Sequence, residues 1–189
     1  YERKGPDVCE IFSTPRVCQE AASQTYGGTV LKPGWSLDLT TKDPATGEAW
    51  DLSQPHVQSR VKRLVRTTKP FCIIGSPPCT AFSPLQDIGR AKRDPKVMKR
   101  QLNAAKSHIR FCLEIYAIQI EGGRHFVHEH PERSKAWSMP EVTQFLLRPE
   151  VGSTILDMCA FGMTSTDEHG EAPVMKATKI ISSSSEVLK

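Results

Sequence analysis

The sequence predicts an α/β fold, a mostly parallel sheet with helices on both faces. Two observations predict it. Strand-like and helix-like segments alternate along the 189 residues, and parallel strands need helical crossovers of this kind between them. In addition, Pro70-Phe71-Cys72-Ile73-Ile74-Gly75 is a nearly continuous apolar run. That is the pattern of a strand buried on both faces rather than of one with a wet side.

The elements follow in order. Asp7 to Phe12 reads as a short buried strand, and Arg16 to Thr25 as a helix with Val17, Ala21 and Ala22 on one face, stopped by Gly27-Gly28. Trp35 to Leu39 is a second strand, followed by a polar loop from Thr40 to Ala49. Ser53 reads as the N-cap of a helix reaching Thr68, with Val57, Val61, Leu64 and Val65 at helical spacing. After the apolar strand and a Pro-rich loop, a long helix spans Lys96 to Glu121 and ends at Gly122-Gly123. Arg124 to Val127 is a further strand, Met139 to Leu147 a short helix and Thr154 to Ala160 a strand. Asp167 to Ala172 reads as a turn between two extended pieces.

Composition narrows the function classes. At 38% hydrophobic, the chain is too apolar for disorder and large enough for one core, so 1–189 reads as a single domain with a tail at 182–189. The start at Tyr1 and the run Ser182 to Ser185 suggest a piece of a longer polyprotein or multidomain chain. The longest apolar run, Phe71 to Ile74, has four residues, so no membrane span is expected. Lys+Arg 25 against Asp+Glu 21 gives +4, which permits nucleic-acid binding without requiring it. Cysteines at 9, 18, 72, 79, 112 and 159 form no CxxC and no metal spacing, so a reducing, intracellular setting is expected.

In open parallel sheets the ligand lies beyond the carboxyl ends of the strands. The loops there carry the unusual residues. Ser76-Pro77-Pro78-Cys79-Thr80-Ala81-Phe82-Ser83 follows the apolar strand, and its prolines fix the backbone that presents Cys79. Fifty residues on comes His128-Glu129-His130-Pro131, a carboxylate between two imidazoles at a strand end. A thiol and a proton-donating carboxyl in one crevice suit covalent catalysis on a polarisable ring. Cys79 in isolation reads as structural and Glu129 as a surface carboxylate; the pairing is what points to chemistry. His128 and His130 lack a third ligand at fixed spacing, so no metal is expected.

Gly75-Ser76-Pro77-Pro78-Cys79, with Phe82-Ser83 after it, resembles the Pro-Cys catalytic loop of DNA (cytosine-5) methyltransferases, whose pattern is Gly-Gly-Pro-Pro-Cys-Gln-Gly-Phe-Ser. Phe126 to Pro131 resembles that family's Glu-Asn-Val strand end in order and spacing. The resemblance covers roughly Asp7 to Ser184, and its specific part is the two loops. It implies a Rossmann-like, S-adenosylmethionine-dependent methyltransferase fold acting on DNA, less readily on RNA. It implies that Cys79 attacks carbon 6 of cytosine, that Glu129 holds and protonates N3, and that carbon 5 then takes the methyl group. The target base has to leave the stack for this. A nuclear or nucleoid site and a mobile-element or phage setting fit such an enzyme, with no membrane partner.

The resemblance also assigns a cofactor pocket. Asp7 to Ser13 is similar to the family's first strand, with Phe12 and Ser13 in place, and Thr14-Pro15-Arg16 stands where the family has glycines. Asp38 is placed like an acid for ribose hydroxyls, Asp51 like the acid at the adenine amino group, and Pro77 beside them. Each also reads as an ordinary loop or core residue, Phe12 as core. The family's arginine-bearing strand falls at Asp157 to Met163, which holds no arginine; Lys176 and Lys179 are the cations available to replace it. Arg90, Lys92, Arg93, Lys96, Lys99, Arg100, Lys106 and Arg110 face one acid, Asp94. This stretch reads either as a solvated helix face or as a phosphate-contacting flap, with Ser83 and His130 as further contacts to nucleic acid. Two other readings stand beside the enzyme: a catalytically inactive nucleic-acid or partner-binding module, and an enzyme acting on free pyrimidine nucleotides.

Overall fold

The computed structural model describes residues 5–88 and 92–189. Its elements are β1 (Val8–Ile11), α1 (Arg16–Ser23), β2 (Thr25–Tyr26), β3 (Thr29–Val30), β4 (Pro33–Leu37), α2 (Pro55–Thr68), β5 (Cys72–Gly75), α3 (Pro95–Glu121), β6 (His125–Pro131), α4 (Pro140–Phe145), β7 (Gly152–Asp157), β8 (Thr164–Asp167), β9 (Gly170–Pro173) and β10 (Ala177–Ser182). One sheet has the order β4-β1-β5-β6-β10-β7, and two small hairpins, β2-β3 and β8-β9, lie outside it. The pairs β1-β4, β1-β5 and β5-β6 are parallel, whereas β10 runs antiparallel to both its neighbours.

Alternation along β1 decides which helix covers which face. Cys9 and Ile11 belong to the main core with Val57, Val61 and Val65 of α2, Phe111, Ile115 and Tyr116 of α3, and Phe145 of α4. Glu10, between them, turns to the opposite face and meets α1. Helices therefore cover both faces, α1 on one and α2, α3 and α4 on the other, as the α/β pattern predicts.

The helix boundaries follow local chemistry. α2 starts at Pro55, whose missing N–H costs nothing in a first turn, and its cap is Gln54. Ser53 is not the cap expected from the sequence; its hydroxyl donates to Asp51 instead. α2 stops at Lys69, a left-handed residue with φ 48° whose N–H donates to the Val65 carbonyl. α3 is capped by Asp94, whose carboxylate accepts from the Lys96 N–H at 2.8 Å. Its later half enters the core through Ile109, Phe111, Cys112, Ile115 and Tyr116, and its earlier half lies against Phe82 through Ala105.

Two corrections concern the last third. β6 does not stop at Val127 but runs to Pro131, because β10 pairs along it: Ile180 opposite Glu129, Lys179 opposite His130 and Thr178 opposite Pro131. Glu129 and His130 therefore lie inside a strand, not in a loop. The residues read as the start of a tail complete β10, with the Ser182 hydroxyl buried and donating to the Phe126 carbonyl at 2.6 Å. A one-turn helix, Ser185–Leu188, follows. Among the described residues no helix is long and apolar enough to cross a membrane.

Phe126, His128 and His130 alternate onto the core face of β6. Tyr116 stacks on Phe126 at 4.3 Å between ring centroids, and its hydroxyl bonds to His128 Nδ1 at 2.8 Å. Trp137 meets both histidines edge-on. Burial pushes the imidazoles down from 6.5, His128 to about 3 and His130 to about 4; the charge of His130 adds to the first shift and that of Lys176 to the second. Both rings are thus held neutral in the fold. Because the folded values lie below the unfolded one, this contribution to stability is complete above pH 6.5 and is lost as pH falls towards about 4. The unfolding free energy from urea titrations should therefore drop between pH 7 and pH 5, by up to ~1.4 kcal/mol per pH unit and per ring, and the urea midpoint with it. A midpoint that stays flat over that interval would show that the rings are solvated in the folded protein.

Candidate functional site

The strand order reverses between β1 and β5: from β1 the chain goes outward to β4, then returns to β5 on the other side. Loops leaving the carboxyl ends on either side of such a point diverge and open a crevice. The loops begin side by side, since the Ser76 N–H donates to the Ile11 carbonyl at 3.3 Å and the Phe12 N–H to that of Leu37 at 2.9 Å. Phe12 is held there at φ 56°, a left-handed conformation that costs an aromatic residue about 1–3 kcal/mol and persists only where the surroundings impose it. Its ring lies 4.9 Å from that of His108 and 6.3 Å from that of Phe111.

Glu10 fills the start of α1. Its carboxylate is fully buried and accepts from the backbone N–H of Cys18 at 2.9 Å and of Val17 at 3.3 Å. The hydroxyls of Ser13, at 2.9 Å, and Ser36, at 3.0 Å, donate to it as well. No residue of α1 itself caps the helix, so the strand supplies the negative charge that a helix N-terminus favours. Ser13, expected at the cofactor, spends its hydroxyl on this network.

The two acids of the expected pocket sit in tight turns. Asp38, half-buried just past β4, accepts from the N–H and hydroxyl of Thr40 at 2.9 and 2.8 Å. Asp51 accepts from the Ser53 N–H and hydroxyl at 3.0 and 2.6 Å and from Gln54 at 3.0 Å. Those bonds, Ser53 first, hold it below the usual carboxylate range, and the charge of His108 contributes. Pro77 is buried beside Ser76 at the head of the loop that carries Cys79.

Cys79 and Glu129 stand at the carboxyl ends of the adjacent strands β5 and β6. Gly75 is level with His128 in the register, so Glu129 is one step further along β6 and Cys79 four residues beyond Gly75. Cys79 is half-buried, and its carbonyl accepts the Phe82 N–H at 2.9 Å, closing a one-turn helix over Thr80–Phe82. Phe82 is 1% exposed and plugs a second apolar cluster with Ala105, Ile109, Ala136, Met139 and Val142. This plug, not the prolines alone, anchors the loop. Ser83 caps the next turn, its hydroxyl accepting from the Leu85 N–H at 3.2 Å. On the neighbouring strand, Glu129 has Lys176 Nζ at 3.8 Å. Lys179, the other cation considered, lies over the Trp137 ring at 5.0 Å.

The remaining cysteines divide by environment. Burial raises the thiols of Cys9 and Cys18 and pushes those of Cys72 and Cys112 up to about 12. They are inert packing groups at neutral pH. Among the described residues no cluster of three potential ligands could hold a metal ion.

A cleft of about 1160 Å³ opens between the loop after Cys79, the first half of α3 and the turn before α4. Phe82, Leu102 and Met139 form its apolar floor; Arg93, Lys99, Lys106 and Lys135 bring positive charge, and Asp87 is paired with Lys135 at 2.6 Å. The basic stretch is thus sorted by the fold. Lys92 and Lys96 are exposed outside the cleft, and Arg110 is paired with Glu141 at 2.8 Å. Arg90 lies outside the described residues. His130, expected as a nucleic-acid contact, is instead buried at 0% exposure under Phe82. Glu10, His108 and Lys135 escape the sequence reading, because each acquires its place through packing rather than through a local motif. A smaller cleft of about 530 Å³ lies between β4 and α2, lined by Trp35, Trp50 and Arg63.

No protein-family model matches this chain, and no curated protein sequence does. Among solved structures it superposes on the Entamoeba histolytica methyltransferase EhMeth with a TM-score of 0.51, over 95% of this chain and 53% of that one, at 10% identity. At that identity the likeness is one of fold: the chain has the Rossmann-like α/β fold of a methyltransferase. It spans about half the length of that structure.

Replacing Glu10 by Ala leaves the Cys18 N–H without its buried acceptor and takes a partner from the part-buried Val17 N–H and from the hydroxyls of Ser13 and Ser36. A loss of about 3 kcal/mol is expected, or roughly 6–12 °C in melting temperature for a domain of this size. Glu10→Gln, which keeps one accepting oxygen, should lose about half as much. Equal stability of Glu10→Ala and wild type in a thermal melt would remove the network from the list of what holds α1.

Proposed function

We propose that this domain is an S-adenosylmethionine-dependent methyltransferase that methylates carbon 5 of cytosine in DNA. The observation that supports the reading most directly is the placing of Cys79 and Glu129 at the carboxyl ends of adjacent strands, beside the crevice where the strand order reverses. The crevice suits a nucleoside without phosphates. A dinucleotide sets its pyrophosphate on the first helix N-terminus, and here Glu10 already occupies those N–H groups. Phe12, Asp38, Asp51 and Pro77 would hold the nucleoside, which supplies an electrophilic methyl group when bound.

The protein's own groups carry the other steps. The thiolate of Cys79 forms a bond to carbon 6, and the displaced ring electrons collect at carbon 5 as Glu129 delivers a proton to N3. Carbon 5 takes the methyl group, and the electron pair of the broken methyl bond leaves with the donor. A base then removes the proton from carbon 5, the ring double bond re-forms as Cys79 departs as thiolate, and N3 gives its proton back to Glu129. Lys176, 3.8 Å from Glu129, steadies that carboxylate; both groups are partly exposed, so the pair itself is worth little more than ~1 kcal/mol. The basic cleft beside Phe82 offers phosphate contacts for the strand that carries the target base.

A second reading is favoured by Thr14-Pro15-Arg16 at the crevice, where close backbone approach is harder than with glycine. On this reading the domain binds nucleic acid without transferring methyl groups. Calorimetry separates the two, since absence of heat with millimolar S-adenosylmethionine favours the binding module.

An oligonucleotide bearing 5-fluorocytosine cannot lose its substituent from carbon 5, so with cofactor present it should accumulate a covalent adduct resolvable on a denaturing gel. Cys79→Ser should give none, and Glu129→Gln should form the adduct about 10²- to 10⁴-fold more slowly. DNA and RNA oligonucleotides run in parallel assign the polymer. Wild-type protein that traps neither, single- or double-stranded, is not an enzyme of this kind.

A further inference from the structure

The chain between β7 and β10 is used by neither the crevice nor Cys79. β7 runs parallel to β6, because each is antiparallel to β10, so the chain leaves β7 at the carboxyl end of the sheet. A one-turn helix over Met158–Phe161, closed by Gly162 at φ 81°, turns it outward into the β8-β9 hairpin. All fourteen residues from Ala160 to Pro173 are exposed. Apolar side chains gather at the root of this arm: Phe161 is 71% exposed, Met175 79%, and the Met163 carbonyl accepts the Val174 N–H at 3.0 Å between them. A two-stranded hairpin by itself is marginal in water, and apolar groups held out together mark a contact surface.

Charge decides what covers it. From Ala160 to Pro173 the chain carries Asp167, Glu168 and Glu171 and no lysine or arginine, although the whole chain is +4. The counterpart is on the same molecule. The cleft of about 1160 Å³ has its apolar floor at Phe82 and is edged by Arg93, Lys99, Lys106 and Lys135 against one acid, Asp87. It lies beyond the ends of β5 and β6, at the same end of the sheet as the arm. No residue of the arm lines the cleft of its own molecule. An acidic arm with an apolar root and a basic cleft with an apolar floor make one end of the chain self-complementary. Two copies facing each other about a two-fold axis satisfy both contacts at once, and such an assembly closes. The fourteen residues of the arm and the fifteen that line the cleft together match the roughly 20–30 that each partner gives to a standard interface.

We propose that the chain pairs with a second copy of itself by reciprocal exchange, the β8-β9 arm of each copy seated in the Phe82 cleft of the other. The arm then stands where the proposed function puts nucleic-acid phosphates, but the exchange does not depend on that reading.

Sedimentation velocity on the whole chain tests it by charge swap. Wild type should form a dimer at micromolar concentration in low salt, with a dissociation constant at least about tenfold higher at about 1 M salt, where screening shortens to about 3 Å. Glu168→Lys with Glu171→Lys reverses the arm and spares Asp167, whose carboxylate holds the turn by accepting the His169 N–H at 2.8 Å. Lys99→Glu with Lys106→Glu reverses the cleft. Each double variant alone should dimerise about 10- to 100-fold more weakly than wild type. Their equimolar mixture should recover the dimer, because there each arm meets a cleft of opposite sign. The four sites are exposed or half-buried, and thermal melts check that both variants are folded. A wild type that stays monomeric at every concentration in low salt overturns the proposal. So does a dimer that both reversals leave unchanged, or a mixture that associates no better than either variant alone.

Discussion

The hydrogen bond from the Tyr116 hydroxyl to His128 Nδ1, 2.8 Å long and wholly buried, is the joint on which the site's geometry depends. It ties α3 to β6 at the level where β5 ends, because His128 is in register with Gly75. Gly75 has no side chain for a specific reason: a Cβ there would land on the Tyr116 hydroxyl and press on Ile11. The residue before the Cys79 loop is therefore small so that the tyrosine can reach its partner. Around this joint Tyr116, Phe126 and Phe145 pack ring against ring. The loop that carries Cys79 departs from a fixed point.

Sheet and loop are connected by a second apolar contact. Phe82 lies edge-on to His130 at 5.8 Å, and His130 stacks with His128 at 5.7 Å. The strand that bears Glu129 on one face thus supports the Cys79 loop with the other. Position of the thiol and position of the carboxylate come from one strand's alternation, which explains why two groups fifty residues apart in sequence share an end of the sheet.

Much of this is legible in the sequence. The apolar strand ending in Gly75, the Pro-Pro-Cys loop and the alternation of strands with helices all rest on local patterns, and local patterns survive folding. What stays hidden depends on pairing at a distance. β6 looks four residues long because His-Glu-His-Pro is a poor strand by propensity; β10 lengthens it by supplying hydrogen bonds from fifty residues downstream. Ser53 has the chemistry of an N-cap, yet Pro55 shifts the helix start and Asp51 claims the hydroxyl. His108 is one imidazole in a basic helix until Phe12 is placed against it, and Glu10 is a charge within an apolar strand until α1 brings its N–H groups. The cations around α3 show the same limit: composition counts them, and only the fold says that Lys99 and Lys106 line a cleft while Arg110 is paired away.

α3 also has a mechanical character. Gln119 fastens its last turns to the Pro70 and His125 carbonyls at 2.9 and 2.8 Å, next to the anchored Tyr116. Lys99 lies seventeen residues earlier, about 25 Å along a straight helix axis. The other half is seated too, since Leu102, Ala105 and Ile109 pack with Phe82. A rod held at both halves does not swing, so the lysines of its outer turns stand at set places in the cleft wall, and one helix fixes both the strand that bears Glu129 and the charges beside the Cys79 loop.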